Sequence, residues 1–330
     1  MERKPDVKLA SFRAGGEDRI GVASGGGLVD LADLVQAPRD MIELVSLGES
    51  KLAEIAAALA SADFDELRLH PLDAVEWHPP VRRPSKIVCL ALNNRSLDAI
   101  KIKAPTDHPA FFLKPHTALT GHRSAIRMKK RFGFTHPEPE LAVVIGRTLR
   151  DATPQEAMAA VYGYSNLNDV TCVGMREEDS FSLRYFRPDE ASGELVEGVA
   201  HTTYPGRYKA SDTFAPMGPW LVTADEVPDP AGLAIACRMD DRLVASDHSR
   251  NYVWSVPDAL SHISQTMTLL PGDVVSMGTA VGGDQDDPAA PHIPGVTRCD
   301  INGFEGTIEV EITGLGVLMN TVATDAKVAG

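Results

Sequence analysis

The chain has 330 residues, of which 43% are hydrophobic and 24% charged, as is typical of a soluble globular protein with one or two domains. Its formal net charge of −14 argues against nucleic-acid binding, and its apolar runs are shorter than the roughly 18 residues of a membrane span. No secretory signal begins the chain, so we expect a cytoplasmic protein. Four cysteines without a Cys-x-x-Cys pair indicate reduced thiols, not a zinc site or a disulfide framework.

The N-terminal quarter of the chain is predicted to be a small α+β unit. Alternating apolar residues at 7–12 and 19–23 predict two paired strands, and helical spacing of leucine and isoleucine predicts a helix over residues 50–61. Pro79-Pro80 and the arginines after it break this pattern. The expected domains are residues 1–80 and 81–330.

A buried strand is predicted at residues 87–92, and strand character resumes at residues 111–113. The polar segment between them, from about 94 to 109, contains two prolines and two lysines. A mobile lid and an ordinary surface loop both fit this composition.

Two glutamates, Glu138 and Glu140, stand at the head of the apolar run 141–145. Residues i and i+2 of a strand share a face and lie roughly 6.6 Å apart along the backbone. The apolar run predicts a buried strand, at whose mouth the two carboxylates would repel each other. A hard cation bound between them would remove this repulsion, whereas solvent exposure of both acids is the alternative.

A third carboxylate follows the next predicted helix. That helix starts with Thr153 as N-cap and Pro154 at its first position, and Gly163 is predicted to end it. Asp169 then follows Asn166 and Asn168, with apolar residues on both sides, and is the natural third ligand. A set of carboxylate oxygens selects Mg²⁺, Mn²⁺ or Ca²⁺ over zinc, and His136, on the same strand face as Glu138, is a further candidate ligand.

The remaining elements predict a mixed, mostly antiparallel β architecture with a few helices. A helix is expected from about residue 255 to Pro271-Gly272, with strands at 273–277 and 307–312. No βαβ rhythm is visible, which favours the α+β class. The sequence contains neither a Gly-x-Ser-x-Gly elbow nor a Gly-x-Gly-x-x-Gly loop, so it supports neither a serine hydrolase nor a dinucleotide cofactor.

Taken together, these segments resemble the fumarylacetoacetate hydrolase family over residues 81–330, and residues 7–31 resemble its small N-terminal domain. The segments that carry the resemblance are 138–146, 161–171, 209–219, 270–279 and 313–320. The resemblance implies a mixed β-roll/β-sandwich core, a homodimer, and Mg²⁺ or Mn²⁺ at one end of the core. It also implies a small 2-oxo or 2,4-dioxo acid as substrate.

The resemblance also implies roles for individual residues. The expected metal ligands are Glu138, Glu140 and Asp169, and Lys209 would place positive charge beside the substrate carboxylate or oxyanion. The residues expected to bind substrate are Arg95, Lys114, Gly278 and Thr279.

One departure from the family concerns the activation of water. Acylpyruvate-cleaving members carry a His-Glu pair on a closing lid, and the two positions hold Leu97 and Ile100 here. Asp98, which would point about 100° away on a helix, and His108 are the candidate catalytic replacements. Residues 174–207 are also longer and more charged than is usual in the family.

The predicted function is metal-dependent C–C bond hydrolysis of such an acid. Because the water-activating pair is missing, enol–keto isomerisation or decarboxylation by the same fold is the first alternative. A catalytically inert metal-binding or ligand-binding module is the second.

Overall fold

The computed structural model describes residues 7–63, 67–98, 101, 104–282 and 299–325. The helices are α1 (Met41–Ser61), α2 (Pro154–Ala159), α3 (Val173–Arg176), α4 (Arg207–Ala210) and α5 (Val256–Thr266). The strands of the first half are β1 (Lys8–Ala14), β2 (Glu17–Ser24), β3 (Gly27–Asp30), β4 (Leu69–Pro71), β5 (Glu76–Trp77), β6 (Ile87–Ala91), β7 (Ala110–Lys114), β8 (Leu119–Thr120), β9 (Ala125–Lys129), β10 (Thr135–His136) and β11 (Pro139–Ile145). The strands of the second half are β12 (Val161–Asn168), β13 (Thr171–Cys172), β14 (Ser180–Pro188), β15 (Leu195–Thr203), β16 (Ala215–Thr223), β17 (Ala234–Met239), β18 (Arg242–His248), β19 (Val274–Thr279), β20 (Thr307–Ile312) and β21 (Gly316–Asp325).

The strands form a mostly β structure with mixed sheets, as predicted. The largest sheet has twelve strands in the order β4-β3-β2-β1-β16-β12-β11-β19-β6-β7, with β5 paired to β1 and β8 to β16. A five-stranded sheet has the order β18-β17-β20-β21-β9, and β10-β13 and β14-β15 form two-stranded sheets. The pairs β16–β8, β19–β6 and β21–β9 are parallel, whereas the others are antiparallel. No helix among the described residues is long and apolar enough to cross a membrane.

Strand β11 lies in the interior of the large sheet, between β12 and β19, and all seven of its residues are buried. Leu141, Val143 and Ile145 belong to one hydrophobic cluster. Ala142 and Val144 belong to another. Because successive side chains of a strand point to opposite faces, both faces of β11 are covered by apolar packing. The predicted buried strand after Glu140 is therefore confirmed.

The N-terminal strands are continuous with the large sheet. Strand β1 pairs with β16, where Lys8 lies opposite Val222, and also with β2, as the alternation of residues 7–12 and 19–23 predicts. Buried residues of α1, such as Leu44 and Ile55, share a cluster with Val144 of β11. The division of the chain at residue 80 remains a proposal.

The N-terminal caps of α2 and α5 are where the sequence places them. Thr153 and Glu156 form both bonds of a capping box, and Ser255 caps α5. The prediction that Gly163 ends α2 is wrong, because α2 ends at Ala159 and Gly163 lies within β12. A β-carbon at Gly163 would lie 2.2 Å from the Val222 carbonyl oxygen of β16, so this glycine permits close approach of two strands. Helix α5 likewise ends at Thr266, before Pro271-Gly272.

His122 gives the fold a sensitivity to acid. Its ring packs edge-on against Trp77 at 5.2 Å, and its Nδ1 accepts the Met319 amide proton at 3.1 Å. Burial and then the Arg123 charge lower its pKa from 6.5 to about 4. The folded state thus disfavours the protonated ring, so the stability that neutral His122 contributes is complete above pH 6.5 and is lost as the pH falls through about 4.

We expect His122→Gln to flatten the decline of the melting temperature between these pH values, whereas His116→Gln, at an exposed position, leaves the slope unchanged. Equal slopes in wild type and His122→Gln, measured by calorimetry, would contradict this assignment.

Candidate metal centre

The antiparallel pairing of β11 and β12 brings three carboxylates to one end of the large sheet. Pro139 lies opposite Asn168, so Glu138, which precedes β11, and Asp169, which follows β12, are neighbours. The Asp169 amide donates to the Glu138 carbonyl at 2.8 Å and continues the ladder by one bond. One carboxylate oxygen each of Glu138, Glu140 and Asp169 lies within 4.8 Å of the other two.

Glu140 is held from the side of β19. Thr279, its cross-strand partner, donates its hydroxyl to Glu140 Oε1 at 2.9 Å and lies 2.8 Å from Glu138 Oε2. The Gly278 amide, at 3.2 Å, and the Ser276 hydroxyl both donate to Glu140 Oε2. Burial, together with the charges of Asp169 and Glu138, raises the pKa of Glu140 to about 8. The three carboxylates therefore repel one another enough to favour the neutral form of one of them.

Lys209 on α4 supplies positive charge to the same cluster. Its Nζ donates to Glu138 Oε2 at 2.8 Å and to Asp169 Oδ2 at 2.6 Å, and lies 5.1 Å from the centre of the Phe112 ring. Burial alone would raise the pKa of Glu138, but the adjoining ammonium outweighs it and the pKa falls to about 2. Burial likewise opposes the charge of Lys209, but the neighbouring carboxylates raise its pKa well above the usual value.

Lys114, at the end of β7, is a second buried cation in the cluster. Its side chain is fully buried, with Nζ 2.5 Å from Asp169 Oδ1. It also donates to the Phe214 carbonyl at 2.9 Å and to the Lys209 carbonyl. Lys114 therefore ties Asp169 to the short helix that carries Lys209. In this position it touches a candidate ligand and two backbone carbonyls.

Three of the sequence-predicted site residues bond to residues other than the three carboxylates. Asp98 is exposed and pairs with Lys101 at 2.8 Å, and His108, with 61% of its side chain exposed, lies 2.7 Å from Asp107. Arg95 is exposed and donates to the Arg250 carbonyl at 3.3 Å. Their roles in catalysis and substrate binding remain predictions. Leu97 is buried, whereas Ile100 lies outside the described residues, as do positions 99, 102 and 103 of the predicted lid.

Other neighbours of the carboxylates were not predicted from sequence. Ser276 has an ordinary polar side chain inside an apolar strand, and only the register of β19 against β11 brings it to Glu140. Phe112 shows strand propensity, but nothing in the sequence around it indicates that its ring lies beside Lys209. Asn168, whose side-chain oxygen accepts the Glu138 amide proton at 2.9 Å, has the weak signal of its position next to Asp169. His136, the further candidate ligand, has Nε2 3.7 Å from Glu138 Oε1.

The charges and the oxygen donors of the cluster suit a divalent cation. Two lysines face three carboxylates, and the pKa of Glu140 rises to about 8 because of burial and of its two acidic neighbours. A cation between the three oxygens would remove the repulsion. All three donors are carboxylate oxygens, which suit Mg²⁺, Mn²⁺ or Ca²⁺ better than zinc.

Thr279 allows a test of this arrangement that leaves all three carboxylates in place. Its hydroxyl bridges Glu138 and Glu140, so Thr279→Val should release both while preserving side-chain volume. We expect the Mn²⁺ affinity to fall about 10–100-fold, the range usual for lost hydrogen bonds to metal ligands. Isothermal titration should find near wild-type affinity in Thr279→Ser, which keeps the hydroxyl. Equal Mn²⁺ affinity in Thr279→Val and wild type would rule out this orienting role.

Comparisons with known proteins agree with the fold and with the type of site. The family described as fumarylacetoacetate (FAA) hydrolase C-terminal matches residues 86–323. A mitochondrial oxaloacetate tautomerase, FAHD2B of Bos taurus, is 30% identical over 282 residues, covering 84% of this chain and 82% of the relative. A 2,4-didehydro-3-deoxy-L-rhamnonate hydrolase of Sphingomonas sp. (strain SKA58) is 28% identical over 295 residues, covering 87% and 89%.

A solved structure provides the corresponding three-dimensional comparison. Maleylpyruvate hydrolase from Sphingobium sp. SYK-6, in complex with manganese(II) and pyruvate, aligns with a TM-score of 0.70 and 27% sequence identity. The alignment covers 96% of this chain and 99% of that one. That protein therefore combines a similar fold with a divalent metal ion and a 2-oxo acid.

Proposed function

Since the chain belongs to the fumarylacetoacetate hydrolase family, we propose that it is a divalent-metal-dependent enzyme that interconverts the enol and keto forms of a small 2-oxo acid of the oxaloacetate type. The observation that carries this proposal is the composition of the site. Three carboxylates and a lysine meet there, while the two candidate water-activating side chains, Asp98 and His108, are exposed and bonded elsewhere. Enol–keto exchange moves a proton and consumes no water, so it does not need the missing pair.

In this proposal Glu138, Glu140 and Asp169 hold Mg²⁺ or Mn²⁺, with Ca²⁺ fitting the same oxygens. When bound, the cation would polarise the substrate carbonyl and stabilise the negative charge of an enolate. The oxaloacetate tautomerases that share 30–31% of their residues with this chain support the choice of substrate type.

The protein's own residues would bind the substrate and stabilise its charge. Lys209 Nζ is 2.6–2.8 Å from two of the carboxylates, so its ammonium lies beside the oxygen on which charge develops. Thr279 and Gly278 present a hydroxyl and an amide at the same end of β19. Lys114 holds Asp169 and the Lys209 backbone in register, and contributes to the positive potential that attracts an acid.

C–C bond hydrolysis of a 2,4-dioxo acid is the second candidate. The hydrolases among the relatives and neighbours favour it, since one acts on 2,4-didehydro-3-deoxy-L-rhamnonate and another is a maleylpyruvate hydrolase. Hydrolysis needs a base that activates water, and leucine at position 97 cannot accept a proton. We therefore place it after tautomerisation.

The deciding experiment supplies purified protein and Mn²⁺ with freshly dissolved enol-oxaloacetate and, separately, with acetylpyruvate and fumarylpyruvate. We expect accelerated loss of the enol without release of carbon dioxide, and loss of this activity after chelation with recovery on adding Mn²⁺. Cleavage of either dioxo acid, with ¹⁸O from solvent water entering the released acid, would support hydrolysis instead. Carbon dioxide release from oxaloacetate would indicate decarboxylation.

A control variant, Lys51→Met, removes a lysine charge that pairs with Glu54 on α1 instead of with the three carboxylates, and should leave every rate unchanged. Lack of Mn²⁺ binding, or binding without turnover of any of these acids, would contradict the proposed function. The latter result would favour the inert metal-binding module.

A further inference from the structure

Asp247, near the end of β18, has a half-buried carboxylate that accepts five hydrogen bonds from three separate segments of the chain. All five donors are neutral groups at 2.6–3.2 Å: the backbone amides of His248, Val281 and Gly282 and the side-chain amides of Asn94 and Asn251. Both carboxylate oxygens are thereby satisfied. Asp247 therefore determines how these three segments lie relative to one another.

One oxygen of Asp247, Oδ2, holds the chain that follows β19. It accepts the amide protons of Val281 at 2.9 Å and of Gly282 at 3.2 Å. The Gly282 carbonyl in turn accepts the Ser246 amide proton at 3.0 Å. A β-carbon at Gly282 would lie 1.9 Å from the Ser246 carbonyl oxygen, so glycine permits this close approach. The chain that leaves β19 in the large sheet is thus fixed against β18 of the five-stranded sheet.

Asn94 extends the same contact to the backbone of Thr279. It is buried, and its Nδ2 donates to Asp247 Oδ2 at 2.9 Å and to the Thr279 carbonyl at 3.1 Å. Its Oδ1 accepts the Ser96 amide proton at 2.8 Å, which caps the first turn of the segment that the sequence predicts as a lid or a loop. Asn94 and Asp247 therefore join the base of that segment to the end of β19.

The end of β19 carries two groups that orient candidate metal ligands. The Thr279 hydroxyl lies 2.8 Å from Glu138 Oε2 and 2.9 Å from Glu140 Oε1, and the Gly278 amide donates to Glu140 Oε2 at 3.2 Å. The pairing of β19 with β11 shifts register just before Thr279. Because a bulge disrupts the strand ladder locally, the ladder alone does not fix these two donors. Contacts from outside the ladder have to hold them in place.

We propose that Asp247 is a positioning residue for the candidate metal centre. It holds the end of β19 so that Thr279 and Gly278 keep Glu138 and Glu140 in the arrangement that binds the cation. Asp247 acts through the backbone and does not itself bond to a ligand. The inference rests on the proposed function, since it assigns Asp247 to the same metal site, but its effect on metal affinity can be measured without knowing the substrate.

Asp247→Asn tests the proposal, because it preserves shape and replaces one acceptor oxygen with an amino group. Since Oδ1 accepts two protons and Oδ2 three, at least two donors lose their acceptor in either orientation of the amide. We expect the Mn²⁺ dissociation constant from isothermal titration to rise about tenfold and turnover to fall about 10–100-fold. The matched control is Asp229→Asn, at an exposed turn where Asp229 accepts the Ala231 amide proton at 3.0 Å, and both quantities should stay unchanged.

A double-mutant cycle separates positioning from a general loss of stability. If Asp247 acts through Thr279, the Mn²⁺ affinity of Asp247→Asn with Thr279→Val should be close to that of Thr279→Val alone, because the hydroxyl to be positioned is already absent. Losses of affinity that multiply would overturn the proposal. Asn94→Asp keeps the cap on Ser96 but places a second carboxylate against Asp247, so it should also weaken Mn²⁺ binding. This variant decides the question if Asp247→Asn does not fold.

The two readouts distinguish this inference from the proposed function. Wild-type Mn²⁺ affinity in folded Asp247→Asn, checked by circular dichroism and a thermal melt, would overturn the positioning role while leaving the proposed function intact. A wild type that binds Mn²⁺ without turning over any of the tested acids would contradict the proposed function, whereas a tenfold weaker affinity in Asp247→Asn would still support the positioning role. Lack of Mn²⁺ binding by wild type would overturn both.

Discussion

Lys209→Met should lower turnover about 10²–10³-fold while leaving Mn²⁺ bound, the loss expected when one preorganised charge is removed from a developing oxyanion. Methionine keeps the length and apolar stem of the lysine, so the packing on Phe112 should persist. The ammonium now neutralises part of Glu138 and Asp169, at 2.8 and 2.6 Å. Its removal makes the site more negative, so the Mn²⁺ affinity should stay equal or increase. Steady-state kinetics and calorimetric titration measure the two quantities separately.

Two further proteins make the Lys209 result specific. Lys209→Arg keeps the charge and should retain more activity than Lys209→Met, whereas Lys51→Met on α1 should match wild type. If Lys209→Met retained wild-type turnover, Lys209 would have no role in the reaction. A protein that loses Mn²⁺ binding along with turnover would instead assign Lys209 to the integrity of the metal centre.

Lys114→Met should destabilise the fold by about 3–5 kcal/mol, because it removes one partner of a buried ion pair. The Lys114 side chain and Asp169 are both fully buried, with 2.5 Å between Nζ and Oδ1. The substitution also leaves the carbonyls of Phe214 and Lys209 without this donor. Urea unfolding measures the change as a fall in the free energy of unfolding.

The Lys114 prediction has its own internal test. Combining Lys114→Met with Asp169→Asn should recover part of the lost stability, since the second substitution removes a buried carboxylate charge that has lost one of its two lysine partners. An exposed-pair control, Arg238→Met at the ion pair with Glu311, should cost at most about 1 kcal/mol. A loss below about 1 kcal/mol in Lys114→Met would show that this ion pair contributes little to the fold.

Much of the candidate site could be predicted because its signals are local in sequence. Glu138 and Glu140 head an apolar strand, and Asp169 follows the strand that pairs with it, so strand alternation and a single hairpin-like pairing bring three carboxylates together. The mostly β architecture, the Thr153 cap and the strand after Glu140 follow from periodicity and capping chemistry.

The features that could not be predicted depend on long-range register. Ser276 reaches Glu140 only through the pairing of β19 with β11, 136 residues apart, and Lys114 reaches the carbonyl of Lys209 across 95 residues. The prediction that Gly163 ends a helix was wrong because glycine has two common roles: it ends helices, and it allows two strands to approach closely. Only the position of Val222 on the neighbouring strand distinguishes these roles. The β14–β15 hairpin could be recognised in the sequence only as a long charged segment, since strand pairing decides which of its apolar residues share a face.

The interior position of β11 also determines how the candidate metal centre should respond to partial opening of the protein. Both edges of this strand are hydrogen-bonded, to β12 and to β19, so separating Glu140 from Thr279 requires breaking a sheet from within. Backbone amides in such strands exchange with deuterium only through openings close to global unfolding. The amides of 141–145 should therefore be among the slowest to exchange, and the three carboxylates should stay together until the whole fold is lost. Fraying of the termini or of the β14–β15 hairpin would leave the three carboxylates assembled.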